Sequence, residues 1–227
     1  MQMKYIDSHC HLSSDTHICG VGAIYNAVQP SDWRAITSAI DDNSDIFGAV
    51  GIHPWHISSV YNGWDADLTD LLMGYPELML GEIGLDKHWP DMDAQIAALN
   101  IQLNIAHKLN RGVCLHCVGA WDKLLFLLKQ NQNELPRFIL SHGYTGPVAD
   151  TEKLSDRYNM YFSYGPRDLI KPVRLIATPL DRILAETDSN NPENVIGVVK
   201  VISDILGIAP GKMADIIYAN TTRMLRS

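Results

Sequence analysis

The sequence predicts an α/β protein, a (β/α)8 TIM-type barrel, and three observations carry that prediction. Short apolar, β-branched runs alternate with longer stretches of helical period. There are eight such runs: Lys4–Asp7, Ala23–Val28, Phe47–Ile52, Leu78–Ile83, Val113–His116, Phe138–Ser141, Met160–Ser163 and Ile183–Glu186. They lack polar alternation, which suits strands covered on both faces, as in parallel sheets. Ionisable residues gather just behind these runs, and in a barrel the C-terminal strand ends converge on one mouth. A doubly wound open sheet is the rival arrangement. A chain of 227 residues fits one α/β barrel, so residues 1–227 are read as a single domain.

The stretches between the runs carry the helices. Ile96, Leu99, Leu103, Ala106 and Leu109 make one apolar stripe, and Trp121, Leu124, Leu125 and Leu128 another. Asn191-Pro192 reads as a cap followed by proline at the first helical position, ahead of Val195, Val198, Val199 and Ile202. Pro210 opens a last helix carrying Met213, Ile216 and Ile217.

Composition excludes several classes. An apolar fraction of 46% buries enough surface to rule out a disordered chain, and 16 Gly with 11 Pro is near average usage. A net charge of −8 argues against a broad basic face for nucleic acid, although bound divalent metals would supply local positive charge. No run approaches the ~18 apolar residues that span a membrane, and Asp7 and His9 interrupt the start too early for a signal peptide. A soluble cytoplasmic protein without membrane attachment is expected. The four cysteines, Cys10, Cys19, Cys114 and Cys117, are too few for a disulfide scaffold. Strand alternation pairs Cys114 with His116 and turns Cys117 away, which disfavours a structural zinc site there.

The polar residues behind the strands point to metal chemistry. His9 and His11 follow the first run, His53 the third, Glu82 and Asp86 lie at the fourth, His116 ends the fifth, and His142 and Asp188 follow the sixth and eighth. Alternation puts His9 and His11 on one face and Cys10 on the other. Each residue alone reads more simply as a hydrogen-bonded histidine, a helix cap or a turn residue. Together they suit Zn, Mn, Fe or Ni better than an all-oxygen site would. The set His9, His11, Glu82, His116, His142 and Asp188 exceeds the ligands of one catalytic zinc. Two cations about 3.5–4 Å apart would use it, with Glu82 on the middle strand as the bridge.

In order along nearly the whole chain, YIDSHCHL, AVGIHPWH, LGEIGLD, the QIAALNIQLNIAHKLNRGVCLH helix and strand, FILSHGYTG, MYFSYG, ILAETDS and YANTTRML resemble the TatD-like metal-dependent hydrolases, the TatD-type deoxyribonucleases of the amidohydrolase superfamily. LGEIGLD is the most specific of these signatures. The resemblance implies a barrel holding one or two divalent metal ions (Zn, Mg, Mn, Fe or Ni) and phosphodiester hydrolysis, often of DNA and of 3′-5′ exonuclease type. It implies His9, His11, Glu82 and Asp188 around one metal and Glu82, His116 and His142 around the other. Glu82 fills the place that a carboxylated lysine takes in most of the superfamily. His53 would line the pocket or support a ligand, and a monomer is expected.

Three positions depart from the family pattern, all on the substrate side. His116-Cys117-Val118-Gly119 stands where an Arg and an acid usually follow the histidine. Lys87-His88-Trp89 follows GLD in place of a Tyr, and Ser189-Asn190 follows ETD in place of a Pro. In the expected mechanism Asp188 accepts a proton from a metal-held water, with Glu82 as the second catalytic residue. Lys87 and Arg167 are candidate phosphate contacts, against a reading as solvated surface charge. Trp55 and Trp89 either stack on a base or pack at the rim. Two alternatives remain open: a hydrolase of the same fold acting on a small amide, ester or phosphate, and a metal-binding protein with little catalysis.

Overall fold

The computed structural model describes residues 5–12 and 20–227. Lys4, at the start of the first expected strand, and Cys19 lie outside them. In chain order the strands are β1 (Ile6–Cys10), β2 (Gly22–Asn26), β3 (Ile46–Val50), β4 (Met79–Asp86), β5 (Val113–Val118), β6 (Ile139–Ser141), β7 (Met160–Tyr164) and β8 (Ile183–Ala185). The helices are α1 (Pro30–Asp42), α2 (Trp64–Gly74), α3 (Met92–Lys108), α4 (Trp121–Gln130), α5 (Thr151–Tyr158), α6 (Val173–Ala177), α7 (Val195–Leu206) and α8 (Pro210–Arg226). The strands form one sheet in the order β1 to β8. The chain divides into two compact units, Met1–Tyr25 with Leu140–Ser227, and Asn26–Ile139.

In the first unit β1 pairs in parallel with β2, and β7 with β8. The Asp188 amide donates to the His9 carbonyl at 3.1 Å, and the His11 amide to the Ser189 carbonyl at 2.9 Å, so β1 also runs beside the end of β8. The first strand begins at Ile6 and continues to Cys10, beyond the expected stop at Asp7, with every residue buried. Its polar residues are tolerated there because each has a partner. The Ser8 hydroxyl bonds Ser163 Oγ at 2.7 Å and the Ala185 carbonyl at 2.9 Å. Asp7 is occupied by Thr187, as described below. α7 buries Val195, Val198, Val199 and Ile202 as expected. Asn191 makes no capping bond with its side chain, and Pro192–Asn194 forms a separate 3-10 turn before the helix. On α8 the buried residues include Met213 and Ile217. Asn220, buried, donates through Nδ2 to the carbonyls of Leu180 and Ile183, both at 2.9 Å, and so fixes the helix to the start of β8.

In the second unit β3 pairs with β4 and β4 with β5, again in parallel. The fourth strand runs to Asp86, past the expected end at Ile83, because its pairing with β5 continues through Asp86 opposite Val118. α1 opens with Pro30, and Asp32 Oδ2 accepts from the amides of Val28 and Gln29 at 3.1 and 3.2 Å, which satisfies donors a helix start leaves open. α3 buries Leu99, Leu103 and Ala106 but also Gln95 and Gln102, so its inner face is more polar than the apolar stripe alone suggests. α4 turns Leu127 inward instead of Leu125, beside Leu124 and Leu128.

Candidate metal centres

Each unit carries a group of histidines with a carboxylate. In the first unit His9 is on β1 and His11 just past its end, and the Cys10 thiol turns to the Ile24 carbonyl. Asp188 follows β8 with φ of +48°, an uncommon backbone region for a residue other than glycine. The backbone bonds of Asp188 and Ser189 to this segment accompany an Oδ1 that lies 3.4 Å from His11 Nε2 and 3.7 Å from His9 Nε2. Burial works against charge on Asp188, but the His11 and His9 imidazoles outweigh it and hold the carboxyl well below its usual range. His142, directly after β6, stacks on His9 with centroids 3.9 Å apart and planes 13° apart. Donor atoms of His9, His142 and Asp188 all lie within 4.8 Å of one another.

Two carboxylates support this group. Asp7 is fully buried; its Oδ1 accepts from the amides of His9 and Thr187, both at 3.1 Å, and its Oδ2 from the Thr187 hydroxyl at 2.6 Å. One side chain thus ties the backbone at His9 to the residue before Asp188. Glu186 is 1% exposed. Its Oε1 accepts from the Gly143 amide at 2.9 Å and lies 3.7 Å from His142 Nδ1. Its Oε2 has no hydrogen-bond partner among the described residues.

In the second unit Glu82 on β4 faces His116 on β5 and His53, which follows β3. Glu82 Oε1 lies 2.8 Å from His116 Nδ1 and 3.2 Å from His53 Nε2. Donor atoms of His53, Glu82 and His116 also fall within 4.8 Å of one another, and all three residues are buried. His53 Nδ1 accepts from the Trp55 amide at 3.2 Å, which leaves its Nε2 toward Glu82. β4 approaches β5 closely because Gly84 stands opposite His116; a Cβ there would lie 1.8 Å from the His116 carbonyl oxygen. Asp86 Oδ2 sits 3.6 Å from His116 Nε2 and accepts from Trp55 Nε1 at 2.8 Å. Burial raises the Asp86 carboxyl, and the Trp55 indole and His88 amide more than offset it, so it stays below its usual range.

The donor chemistry of both groups fits a divalent cation of intermediate softness: imidazole nitrogens with a carboxylate oxygen in each. The buried Glu186 Oε2 adds acceptor capacity that donors among the described residues leave unused. His142 is gathered with His9 and Asp188, and His53, expected only to line or support the site, is gathered with Glu82 and His116. Lys87 and Arg167 are exposed. Sequence reasoning missed Asp7, Glu186, Gln95 and Gln102. The signal was available in their spacing. Asp7 and Glu186 each stand two residues before a singled-out ligand, and Gln95 and Gln102 are seven residues apart, two turns along one helix face. Gln102 accepts from the Ile52 amide at 2.8 Å and donates to its carbonyl at 3.3 Å, beside His53. Gln95 accepts from the Asp86 amide at 2.9 Å.

Comparison with known proteins follows the same lines. A family model described as TatD related DNase matches residues 6–226. YabD of Bacillus subtilis, an uncharacterized metal-dependent hydrolase, is 24% identical over 97% of this chain and 98% of its own. The 3′-5′ ssDNA/RNA exonuclease TatD of Erwinia billingiae is 27% identical over 79% of this chain and 77% of its own. Among solved structures, YjjV, a TatD homolog from Escherichia coli, is 23% identical, covers 99% of both chains and superposes with a TM-score of 0.88. That likeness carries the fold class, the α/β barrel of parallel strands alternating with helices that the sequence predicts.

Proposed function

Because the chain belongs to the TatD related DNase family of metal-dependent hydrolases, we propose that it cleaves phosphodiester bonds of DNA, as a 3′-5′ exonuclease acting on single strands. The observation that carries this reading is the recurrence, in each unit, of histidine nitrogens and a carboxylate oxygen within 4.8 Å. His9, His11, His142 and Asp188 would hold one cation, and Glu82 and His116, with His53, another; zinc, magnesium, manganese, iron and nickel are the candidates. Bound cations would supply Lewis acidity and lower the pKa of a held water from about 15.7 toward ~7.

The residues of the chain supply the rest. Asp188, kept ionised by His11 and His9, accepts the proton of the attacking water. Asp7 holds the backbone on both sides of that pair through His9 and Thr187. Glu82 is fixed between His116 Nδ1 and His53 Nε2, which orients both rings. Lys87 and Arg167 are proposed phosphate contacts. A cytoplasmic location, a monomeric state and amidohydrolase-superfamily membership belong to the same proposal.

A second reading, a small amide, ester or phosphate substrate, is favoured by Cys117. Where the family usually has an arginine, the chain has a thiol 4% exposed that burial pushes up to about 12, leaving no cation at that position to meet a strand.

The test is metal analysis of the purified protein, followed by hydrolysis of end-labelled single-stranded DNA by wild type, Glu82→Gln and Asp188→Asn. Chelation should abolish activity and added divalent cation restore it, and each substitution should lower kcat/KM by about 10²-fold or more. Variants as active as wild type would overturn the residue roles. A log–log salt slope near zero, where single strands give about −0.7 per phosphate contact, would favour the small substrate.

A further inference from the structure

Two indoles stand at the edge of the second unit's histidine group with no part in the chemistry described so far. Trp55 and Trp89 stack on each other with centroids 5.5 Å apart and planes 29° apart, yet remain 46% and 42% exposed. An aromatic pair that serves only packing is ordinarily buried much further. Both rings are also held in place. Trp55 Nε1 donates to Asp86 Oδ2 at 2.8 Å, and its ring meets the His53 ring edge-on at 4.7 Å. Trp89 sits on the turn after β4, where the Gln95 amide, 1% exposed, donates to the carbonyls of Asp86, Trp89 and Pro90 at 3.1–3.2 Å. A buried glutamine on α3 thus pins the loop that presents the outer indole. Fixed, exposed aromatic faces suit binding because little freedom is lost when a flat ligand lands on them.

We propose that Trp55 and Trp89 form a stacking platform for a nucleobase of the single strand whose phosphodiester is hydrolysed. The inference rests on the phosphodiesterase reading and adds to it a contact with the base. The location supports that occupant. Trp55 lies 6.4 Å from the His116 ring, centroid to centroid, so a base on the platform keeps its own sugar and phosphate beside the Glu82–His116 group. Exposed Lys87 is on the same turn, and its stem packs over Gly119, within reach of a backbone phosphate. A nucleobase stacks on indole whatever its sequence, so the platform takes any base of the strand.

The experiment compares metal-loaded wild type, Trp89→Ala and Trp89→Phe. The probes are a pentadeoxyadenylate and an abasic pentamer of equal charge, both with phosphorothioate linkages so that binding is read without turnover. Circular dichroism checks that each variant is folded. Wild type should bind the base-bearing strand about tenfold or more tightly than the abasic one, with quenching of indole emission by the former alone. Trp89→Ala should bring that ratio close to one, and Trp89→Phe should retain most of it. Equal binding of the two strands by wild type, or an unchanged ratio in Trp89→Ala, would overturn the platform. Hydrolysis of an unmodified abasic strand separates the two levels. Cleavage without base preference removes the platform alone, and absence of cleavage of either strand removes the phosphodiesterase reading and the platform with it.

Discussion

Gln102→Leu isolates the device that fixes the chain at His53. Gln102 is 1% exposed and closes a two-point bond with one peptide unit, accepting from the Ile52 amide at 2.8 Å and donating to the Ile52 carbonyl at 3.3 Å. Leucine has a similar shape and can do neither. Two buried backbone groups are then left unpaired, each costing about 1–3 kcal/mol, while the extra apolar burial returns about 1–2 kcal/mol. The net expectation is a loss of about 1–4 kcal/mol, or roughly 2–16 °C in Tm for a chain of this length. Urea unfolding with an unchanged m-value is the assay. Gln102→Glu serves as the control. Its carboxylate still accepts from the Ile52 amide but opposes the Ile52 carbonyl, whereas the protonated acid restores the donor. Its folded pKa is therefore raised, so its stability is full at low pH and lost as pH rises through that value. A Gln102→Leu protein within about 0.5 kcal/mol of wild type, or a Gln102→Glu protein indifferent to pH, would refute the reasoning.

Other perturbations probe different parts of the frame. Gly84→Ala should fail to fold or lose more than about 4 kcal/mol, since its Cβ would lie 1.8 Å from the His116 carbonyl oxygen at a φ of +154°. Gly74→Ala, where a Cβ meets nothing within 4 Å, should be neutral or stabilising in the same denaturation assay. Asp168 is partly buried and its carboxyl is raised to about 6 by burial, which the bond from the Gly165 amide only partly offsets. A raised acid contributes its stability below the unfolded pKa of ~3.9 and loses it as pH rises through the folded value. In metal-free protein, wild type should therefore lose about 1–2 kcal/mol relative to Asp168→Asn between pH 4 and 7, after allowance for solvent screening. Parallel stability curves for the two proteins would contradict that assignment.

The strand–helix order was legible because buried parallel strands advertise themselves as unbroken apolar runs, and all eight fall where such runs occur. Their ends were less legible where polar residues continue a strand. Ser8 and His9 read as lying past β1, yet the strand continues through them, with Asp7 satisfied by Thr187 and Ser8 by Ser163 and the Ala185 carbonyl. No local pattern announces a partner about 180 residues away. α3 erred in the same direction. Its apolar stripe left Gln95 and Gln102 out, and they are buried because each bonds backbone beside a strand end.

The same physics explains what could be read of the site. Histidines and acids at strand ends are conspicuous because strand period and strand order together limit where they can go. The residues that hold them are inconspicuous, since an aspartate two positions before a histidine or a glutamate two positions before an aspartate is unremarkable in any sequence. Yet Asp7 and Glu186 do comparable jobs in the first unit. One fixes the backbone at His9 and Thr187, and the other bonds the Gly143 amide next to His142. The i, i+2 carboxylate thus reads as a support for the backbone around the ligand it precedes. It requires burial to act, because only a desolvated carboxylate with few competing donors holds a neighbouring amide firmly. Within the second unit the supports are Asp86 at the end of β4, which faces His116 Nε2, and the glutamines of α3. A helix side chain long enough to reach backbone beside the strand ends complements that carboxylate.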